Sequence, residues 1–261
     1  MTAAEREDRT LSIFAYGALG RMGRLVLEAA AGTPRFRAAG GVDVAAGDDV
    51  KNATVPVYDR FPETLPDDTV VVDFSTRGAV GRLVADLGRR GIPLVSGTTG
   101  LGDDELEALR VYSEHSPVFY DTNMSYGVSV MKRMLGVAGP LMRGNADVEI
   151  VEMHHSGKRD FPSGTAYAIA RVIDPDAAVV VGREVSGEPG RPAIHVHSGR
   201  LGGIFGDHRV IFASDDEMIT LEHRALTRAV FAKGALRAAR FVAGKKKGMF
   251  SMKDLLEVQN E

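Results

Sequence analysis

The sequence predicts an α/β fold in two parts, a doubly wound parallel sheet followed by a second α+β domain that carries an open mixed sheet. Three observations predict it. The chain opens with strand, glycine-punctuated turn, helix and strand by Asp43; short apolar runs then alternate with helical stretches up to about residue 125; and from Asn145 strand-like runs follow one another with little helix between them. Alternating strands and helices favour a parallel sheet with right-handed crossovers, whereas consecutive strands favour a mixed or antiparallel one.

Thr10 to Tyr16 has the apolar, β-prone content of a strand and runs into Gly17, Gly20 and Gly23. Met22, Leu25, Val26 and Ala29 then recur at helical spacing until Gly32 and Pro34 stop the helix. Phe36 to Val42 returns to strand and ends at Asp43; Val70 to Phe74, a helix over Gly78 to Arg90, and Ile92 to Ser96 continue the alternation. In the second half, Val148 to Met153, Ala178 to Gly182, Ala193 to Ser198, His208 to Ala213 and Glu217 to Glu222 read as strands, with a helix over Gly164 to Arg171. Thr227 to Val242 is helical, and Ser251 to Val258 is a last short helix.

With 261 residues, 44% of them hydrophobic and 26% charged, the chain has enough apolar content for a substantial core. A formal charge of -3 gives no basic excess for nucleic acid or a membrane surface, so a small-molecule partner is expected. The absence of cysteine excludes disulfides, thiolate metal sites and thiol-acylating dehydrogenase chemistry. Met1 to Arg9 is polar and lacks the apolar core of a signal peptide, so a cytoplasmic location is expected.

Gly17-Ala18-Leu19-Gly20-Arg21-Met22-Gly23 lies where a strand turns into a helix. Glycines there let the backbone approach a pyrophosphate, and the unpaired N–H groups with the helix dipole attract it. Asp43, at the end of the second strand, is placed to accept hydrogen bonds from an adenosine ribose, which completes the pattern of a Rossmann dinucleotide site. Leu19 departs from the common G-x-G-x-x-G form. A carboxylate at Asp43 repels a 2′-phosphate and Val44 follows it, so the cofactor leans to NADH, while Arg21 leaves NADPH tolerated. Gly97, Thr98, Thr99 and Gly100 follow the fourth strand, at the carboxyl edge where nucleotides bind, and can flank the nicotinamide ribose.

The densest ionisable group is Glu152-Met153-His154-His155-Ser156-Gly157-Lys158-Arg159-Asp160, followed by Phe161-Pro162-Ser163-Gly164-Thr165. Reduction of an anionic unsaturated ring needs cations for its carboxylates and a proton donor. Histidine and lysine supply both, and Ser163, Gly164 and Thr165 open a helix whose amides can hold a carboxylate. The HExxH spacing is absent, and adjacent histidines on a strand face opposite ways, so no metal is expected.

These motifs, with Asp73-Phe74-Ser75, Asn123-Met124-Ser125, His223-Arg224-Ala225, Phe231 to Leu236 and Gly248 to Asp254, resemble the dihydrodipicolinate reductase family over nearly the whole chain. The resemblance implies a Rossmann domain of residues 1–125 and 236–261 and a substrate-binding and oligomerisation domain of residues 126–235, assembled as a homotetramer. It implies that His154 is the general acid/base and Lys158 the proton donor, that His155, Ser163, Gly164 and Thr165 meet the substrate, and that Thr122, Asn123, Met124 and Ser125 form a hinge near the nicotinamide. The implied reaction is hydride delivery from NAD(P)H to a pyridine-derived dicarboxylate, forming tetrahydrodipicolinate for lysine and diaminopimelate biosynthesis. Gly157, Phe161 and Tyr126 depart from the family pattern around the expected pocket. They leave reduction of another cyclic imine or enamine dicarboxylate as an alternative. A nicotinamide sensor without turnover is a further one, although it has no need of His154, His155 and Lys158. His195 and His197 share one strand face and are expected, with His208, on a sheet surface or subunit interface.

Overall fold

The computed structural model describes residues 9–46, 54–182 and 193–258, so the leader read over Met1 to Arg9 lies outside them except for Arg9. The chain forms two compact units, residues 1–125 with 229–261, and residues 126–228.

In the first unit seven strands run parallel: β1 (Leu11–Tyr16), β2 (Phe36–Val42), β3 (Val57–Tyr58), β4 (Thr69–Asp73), β5 (Leu94–Ser96), β6 (Pro117–Tyr120) and β12 (Gly248–Phe250), in the order β12-β6-β5-β4-β1-β2-β3. β1, β4 and β5 are buried at every residue, the signature of strands covered on both faces. On one face α2 (Val80–Leu87) and α3 (Asp103–Ser113) bring Leu83, Leu87, Leu109 and Tyr112 against Phe14, Tyr16, Val71 and Leu94. On the other, α1 (Arg21–Ala31) packs against α6 (Ala229–Ala243), with Leu27 against Ala15 and Ala18. The sheet order reverses beside β1, so the carboxyl ends of β1 and β4 form the crevice where doubly wound folds bind ligands.

Two expectations shift here. The apolar stripe of α1 buries Gly23, Val26, Leu27 and Ala30, each one residue on from the expected Met22, Leu25, Val26 and Ala29, because Gly23 is turned into the preceding loop. The boundary expected between residues 235 and 236 falls inside α6, and the whole helix belongs to the first unit, which the chain re-enters at Ala229. α6 packs on α1 and on β4, β5 and β6 of this unit, and its Gly234 lies against the Met124 carbonyl.

The second unit opens with α4 (Tyr126–Met142), which the sequence reading passed over. Gly136, Gly139 and Pro140 interrupt its helical pattern, yet Gly139 is there for contact: a Cβ on it would stand 2.5 Å from the carbonyl oxygen of Ile173 in α5 (Gly164–Ile173). Five strands follow, β7 (Asp147–His154), β8 (Ala178–Val181), β9 (Ala193–Arg200), β10 (Asp207–Ala213) and β11 (Met218–Arg224), in the order β11-β10-β7-β9-β8. β7, β9 and β8 are parallel, β10 and β11 antiparallel, so the sheet is mixed. One face carries α4 and α5, whose Met131, Leu135, Ile169 and Ile173 pack on Ile150, Val196, Val210 and Phe212.

Strand alternation sends Glu152, His154 and His208 to this covered face, among the apolar residues, and His195 and His197 to the other. His208 is therefore not the surface residue expected. It is 2% exposed, and neither ring nitrogen has a hydrogen-bond partner among the described residues. Burial, with the charge of His154 adding to it, pushes its pKa down to about 3; Glu152 opposes the shift, and His223 and Lys158 also face it.

Two stability tests follow from these contacts. A Cβ on Gly234 of α6 would stand 1.6 Å from the Met124 carbonyl oxygen, so Gly234→Ala should lower the unfolding free energy by about 1–3 kcal/mol in urea titrations; an unchanged midpoint would refute the close approach. Between pH 6.5 and 3 the unfolded chain protonates His208 and the folded chain does not, so stability falls as pH drops through that window. That loss should reach at most about 1.4 kcal/mol per pH unit, and His208→Gln should remove this component of the slope in urea titrations at pH 7, 6 and 5. Parallel slopes would show that His208 protonates equally in both states.

Candidate active site

The residues expected to hold a dinucleotide all gather at the carboxyl edge of the parallel sheet. β1 ends at Tyr16, and Gly17 then takes a φ of +76°, a conformation open to glycine, with its Cα face against Ser75. The N–H groups of Gly17 and Ala18 both donate to the Val42 carbonyl, which locks the turn to the end of β2. Gly20 caps α1, Arg21 is its first residue and Met22 its second. A Cβ on Gly23 would lie 2.1 Å from the Gly17 oxygen, so glycine is required for the helix to start this close to the strand. Asp43 sits beside the turn: one carboxylate oxygen accepts from the Leu19 N–H at 2.9 Å, the other from the Ala45 N–H at 3.0 Å. The cradle fits a pyrophosphate with its ribose, because the helix start, the glycine approach and the carboxylate are fixed to one another by backbone hydrogen bonds.

Asp73, fully buried at the end of β4, organises the neighbouring loop. Its carboxylate accepts from the hydroxyls of Ser96 at 2.7 Å and Thr98 at 2.8 Å and from the Ser75 N–H at 2.9 Å, while the Gly97 N–H donates to its carbonyl. Burial pushes this carboxyl above its ordinary range, since its hydrogen-bond partners are neutral. Thr98 thus points inward, leaving Thr99 and Gly100 exposed at the loop. Beyond β6, the Asn123 side chain accepts from the Ser125 N–H and Asp121 accepts from those of Asn123 and Met252, so residues 121–125 are held in a turn with Thr122 exposed and Met124 buried. Asp73 and Asp121 received no role from the sequence; a strand-end aspartate followed by hydroxyl residues is the signal that was available.

The second unit assembles the other group of expected residues around Glu152. In the register of the sheet, Glu152 is flanked by Ser198 on β9 and His208 on β10, and His154 by Arg200. Glu152 is 0% exposed. One of its oxygens stands 2.5 Å from His154 Nδ1; the other accepts from Arg200 Nη2 at 2.8 Å and from the Ser163 N–H at 3.2 Å. Burial alone would raise its pKa, but the hydrogen bonds from His154 and Arg200 outweigh it and bring the pKa down to about 2. Arg200 also donates to the carbonyls of Gly199 and Asp160 and lies 5.6 Å from the centre of the Phe161 ring.

His154 closes β7, so His155 stands outside the strand and the alternation argument does not govern it. The Lys158 N–H donates to the His155 carbonyl, and Lys158 Nζ pairs with Asp160 at 2.8 Å. Ser163 caps α5, its hydroxyl accepting from the Ala166 N–H at 3.2 Å, and Gly164 and Thr165 form the first turn, preceded by a cis Phe161–Pro162 bond. The Lys158–Asp160 pair thus lies on the loop that leads into the amino end of α5.

Glu152, His154 and His208 place one oxygen or nitrogen each within 4.8 Å of one another, a spacing that reaches metal-ligand range and that no local motif announces. Arg200 on the carboxylate and His154 Nδ1 at hydrogen-bond distance from it pair Glu152 with protons, a different use of the same atoms. Arg200 was missed and His208 was placed elsewhere because strand register, not sequence spacing, sets them beside Glu152 and His154.

Two family models match the chain, "Dihydrodipicolinate reductase, N-terminus" over residues 11–124 and "Dihydrodipicolinate reductase, C-terminus" over residues 127–256. A curated 4-hydroxy-tetrahydrodipicolinate reductase of Caldanaerobacter subterraneus subsp. tengcongensis is 38% identical over 255 residues, covering 95% of this chain and 98% of the relative. One of the same name from an Exiguobacterium species is 40% identical over 245 residues, covering 91% and 93%. Among solved structures, a dipicolinate-bound dihydrodipicolinate reductase from Paenisporosarcina sp. TG-14 aligns with a TM-score of 0.69 over 93% of this chain and 97% of that one, at 22% identity, a likeness of fold. Matched in order through both units, with relatives above 30% identity along nearly its whole length, the chain belongs to the dihydrodipicolinate reductase family.

Proposed function

We propose that the protein is a NAD(P)H-dependent 4-hydroxy-tetrahydrodipicolinate reductase that forms tetrahydrodipicolinate for lysine and diaminopimelate synthesis. The observation that carries this reading is the Lys158–Asp160 ion pair on the loop leading into α5, beside the buried Glu152–His154 pair. Asp160 holds the Lys158 ammonium here, and a substrate carboxylate finds the same cation beside the amino end of α5.

When bound, the nicotinamide supplies a hydride to the ring. The first unit's part is binding: the glycine turn of Gly17 to Met22 meets the pyrophosphate, Asp43 the adenosine ribose, and Gly97 to Thr99 with Thr122 to Ser125 the nicotinamide end. Asp43, held by two backbone N–H groups, presents a fixed negative charge that favours NADH; Arg21 nearby keeps NADPH usable. In the second unit, His155, Ser163, Gly164 and Thr165 bind the dicarboxylate, Lys158 donates the proton opposite the hydride, and His154 serves as general acid/base.

Supplying the substrate with a coupled dihydrodipicolinate synthase and following NADH and NADPH oxidation tests this reading. Substrate-dependent oxidation is expected, more efficient with NADH; none above a no-enzyme control rejects the function, and far better efficiency with NADPH rejects the cofactor preference. Lys158→Ala should lose about 10²–10⁴-fold in turnover at unchanged NADH affinity, and wild-type turnover would remove the lysine from the mechanism.

The proposed assembly is a homotetramer built on the second sheet. By strand alternation Val151, Met153 and Ile211 face away from α4 and α5, interspersed with the His197–Glu149 and Arg209–Glu222 pairs. Sedimentation equilibrium should give four times the chain mass, and a monomer at micromolar concentration would overturn the assembly.

A further inference from the structure

We propose that Glu152 is a positioning residue for the reaction: its single buried carboxylate fixes which nitrogen of His154 carries the proton and, through its other oxygen, anchors the amino end of α5 and the Lys158 loop. Three donors converge on it from three directions. Arg200 reaches across from β9, the Ser163 N–H comes from the loop before α5, and His154 Nδ1 comes from two residues along β7.

The chemistry of those partners determines the tautomer. A guanidinium stays protonated at any working pH and fixes negative charge on the carboxylate it touches. An ionised carboxylate has lone pairs and no proton to give, so His154 Nδ1 must be the donor across the 2.5 Å contact. Nε2 is then the nitrogen left to exchange protons. It lies on the side of the ring toward Gly206, where a Cβ would come within 3.3 Å of it, and the His208 ring stands edge-on to that of His154 with ring centres 5.1 Å apart. His208 has no hydrogen-bond partner among the described residues, and its neutral form leaves the charge balance of the pocket to Glu152, Arg200 and Lys158.

The second oxygen links the histidine to the rest of the site. Arg200 Nη2, while bound to Glu152, also donates to the Asp160 carbonyl at 2.6 Å, and Asp160 holds Lys158 Nζ at 2.8 Å. The Ser163 N–H on the same carboxylate sets the start of α5, so His154, Lys158 and the Gly164–Thr165 turn are referenced to one buried group. Groups in contact with substrate gain rate by being held in place before it arrives, and a buried carboxylate hydrogen-bonded through both oxygens is stiff enough to hold them.

Glu152→Gln separates this role from simple packing. Arg200 and Ser163 both donate to one oxygen, so the amide oxygen of glutamine occupies that position and its NH₂ faces His154 Nδ1. Nδ1 must then accept, and the proton moves to Nε2. This rests on the reductase reading for its kinetic arm only. Long-range proton–nitrogen spectra of the imidazoles, with His154→Gln identifying the resonance, should show His154 protonated on Nδ1 in the wild type and on Nε2 in Glu152→Gln. Turnover should fall by about 10²–10⁴-fold, as a reversed tautomer does in a histidine held by a carboxylate, with NADH affinity unchanged. Wild-type His154 protonated on Nε2 overturns the proposal, and that measurement needs no variant to fold. Glu152→Gln keeping Nδ1–H, or keeping turnover within about threefold of wild type, overturns it equally. A wild type that shows the Nδ1–H form yet oxidises no nicotinamide in the coupled assay would reject the reductase reading and leave the tautomer assignment standing.

Discussion

A carboxylate wholly withdrawn from water, that of Glu152, carries the chemistry of the second unit. Removing an ionised group from solvent costs several kcal/mol unless its lone pairs are filled, and here Arg200, His154 and the Ser163 N–H fill them. Each donor belongs to a different segment, so satisfying one charge brings β7, β9 and the start of α5 into a common arrangement. Loss of a single partner leaves a buried charge uncompensated, a penalty of about 3–5 kcal/mol, which makes the arrangement specific rather than adaptable.

The first unit contains a buried carboxylate of the opposite kind. Asp73 is as completely enclosed as Glu152, but its side-chain partners are hydroxyls and a backbone N–H, so burial wins and its pKa rises, whereas the guanidinium beside Glu152 reverses the sign. The two acids accordingly do different work. Asp73 ties the loop after β5 to the end of β4 and gives the carboxyl edge of the sheet its shape; Glu152 keeps a full negative charge among cations and sets proton positions around it. Both stand at or near strand ends, where a parallel sheet in one unit and a mixed sheet in the other present their loops.

How far these arrangements could be read in the sequence depends on the distance over which each is encoded. The glycine turn, Asp43 and the Ser163 cap are local, each a property of a few consecutive residues, and the structure places them on the turn, strand end and helix start expected. The helix α4 was hidden because Gly136, Gly139 and Pro140 read as breakers, and only the contact with Ile173 reveals Gly139 as a packing residue. The stripe of α1 slipped by one position because the closeness of Gly23 to Gly17, a contact between turn and helix, sets the rotation of the helix. His208 was misplaced since a strand pattern gives a residue's alternation but not which face a helix will cover.

By itself the sequence determined the two-part α/β architecture, the dinucleotide turn and the identity of the cationic cluster around His154 and Lys158, because periodicity, turn chemistry and helix capping act between near neighbours. The tertiary structure alone decided that Glu152 has Ser198 and His208 on either side and that Arg200 lies across from His154, since strand register joins residues some fifty positions apart. It also decided the protonation of the buried groups. Those depend on which charges the fold brings within hydrogen-bond reach after water has been excluded, and no stretch of neighbouring residues contains that information.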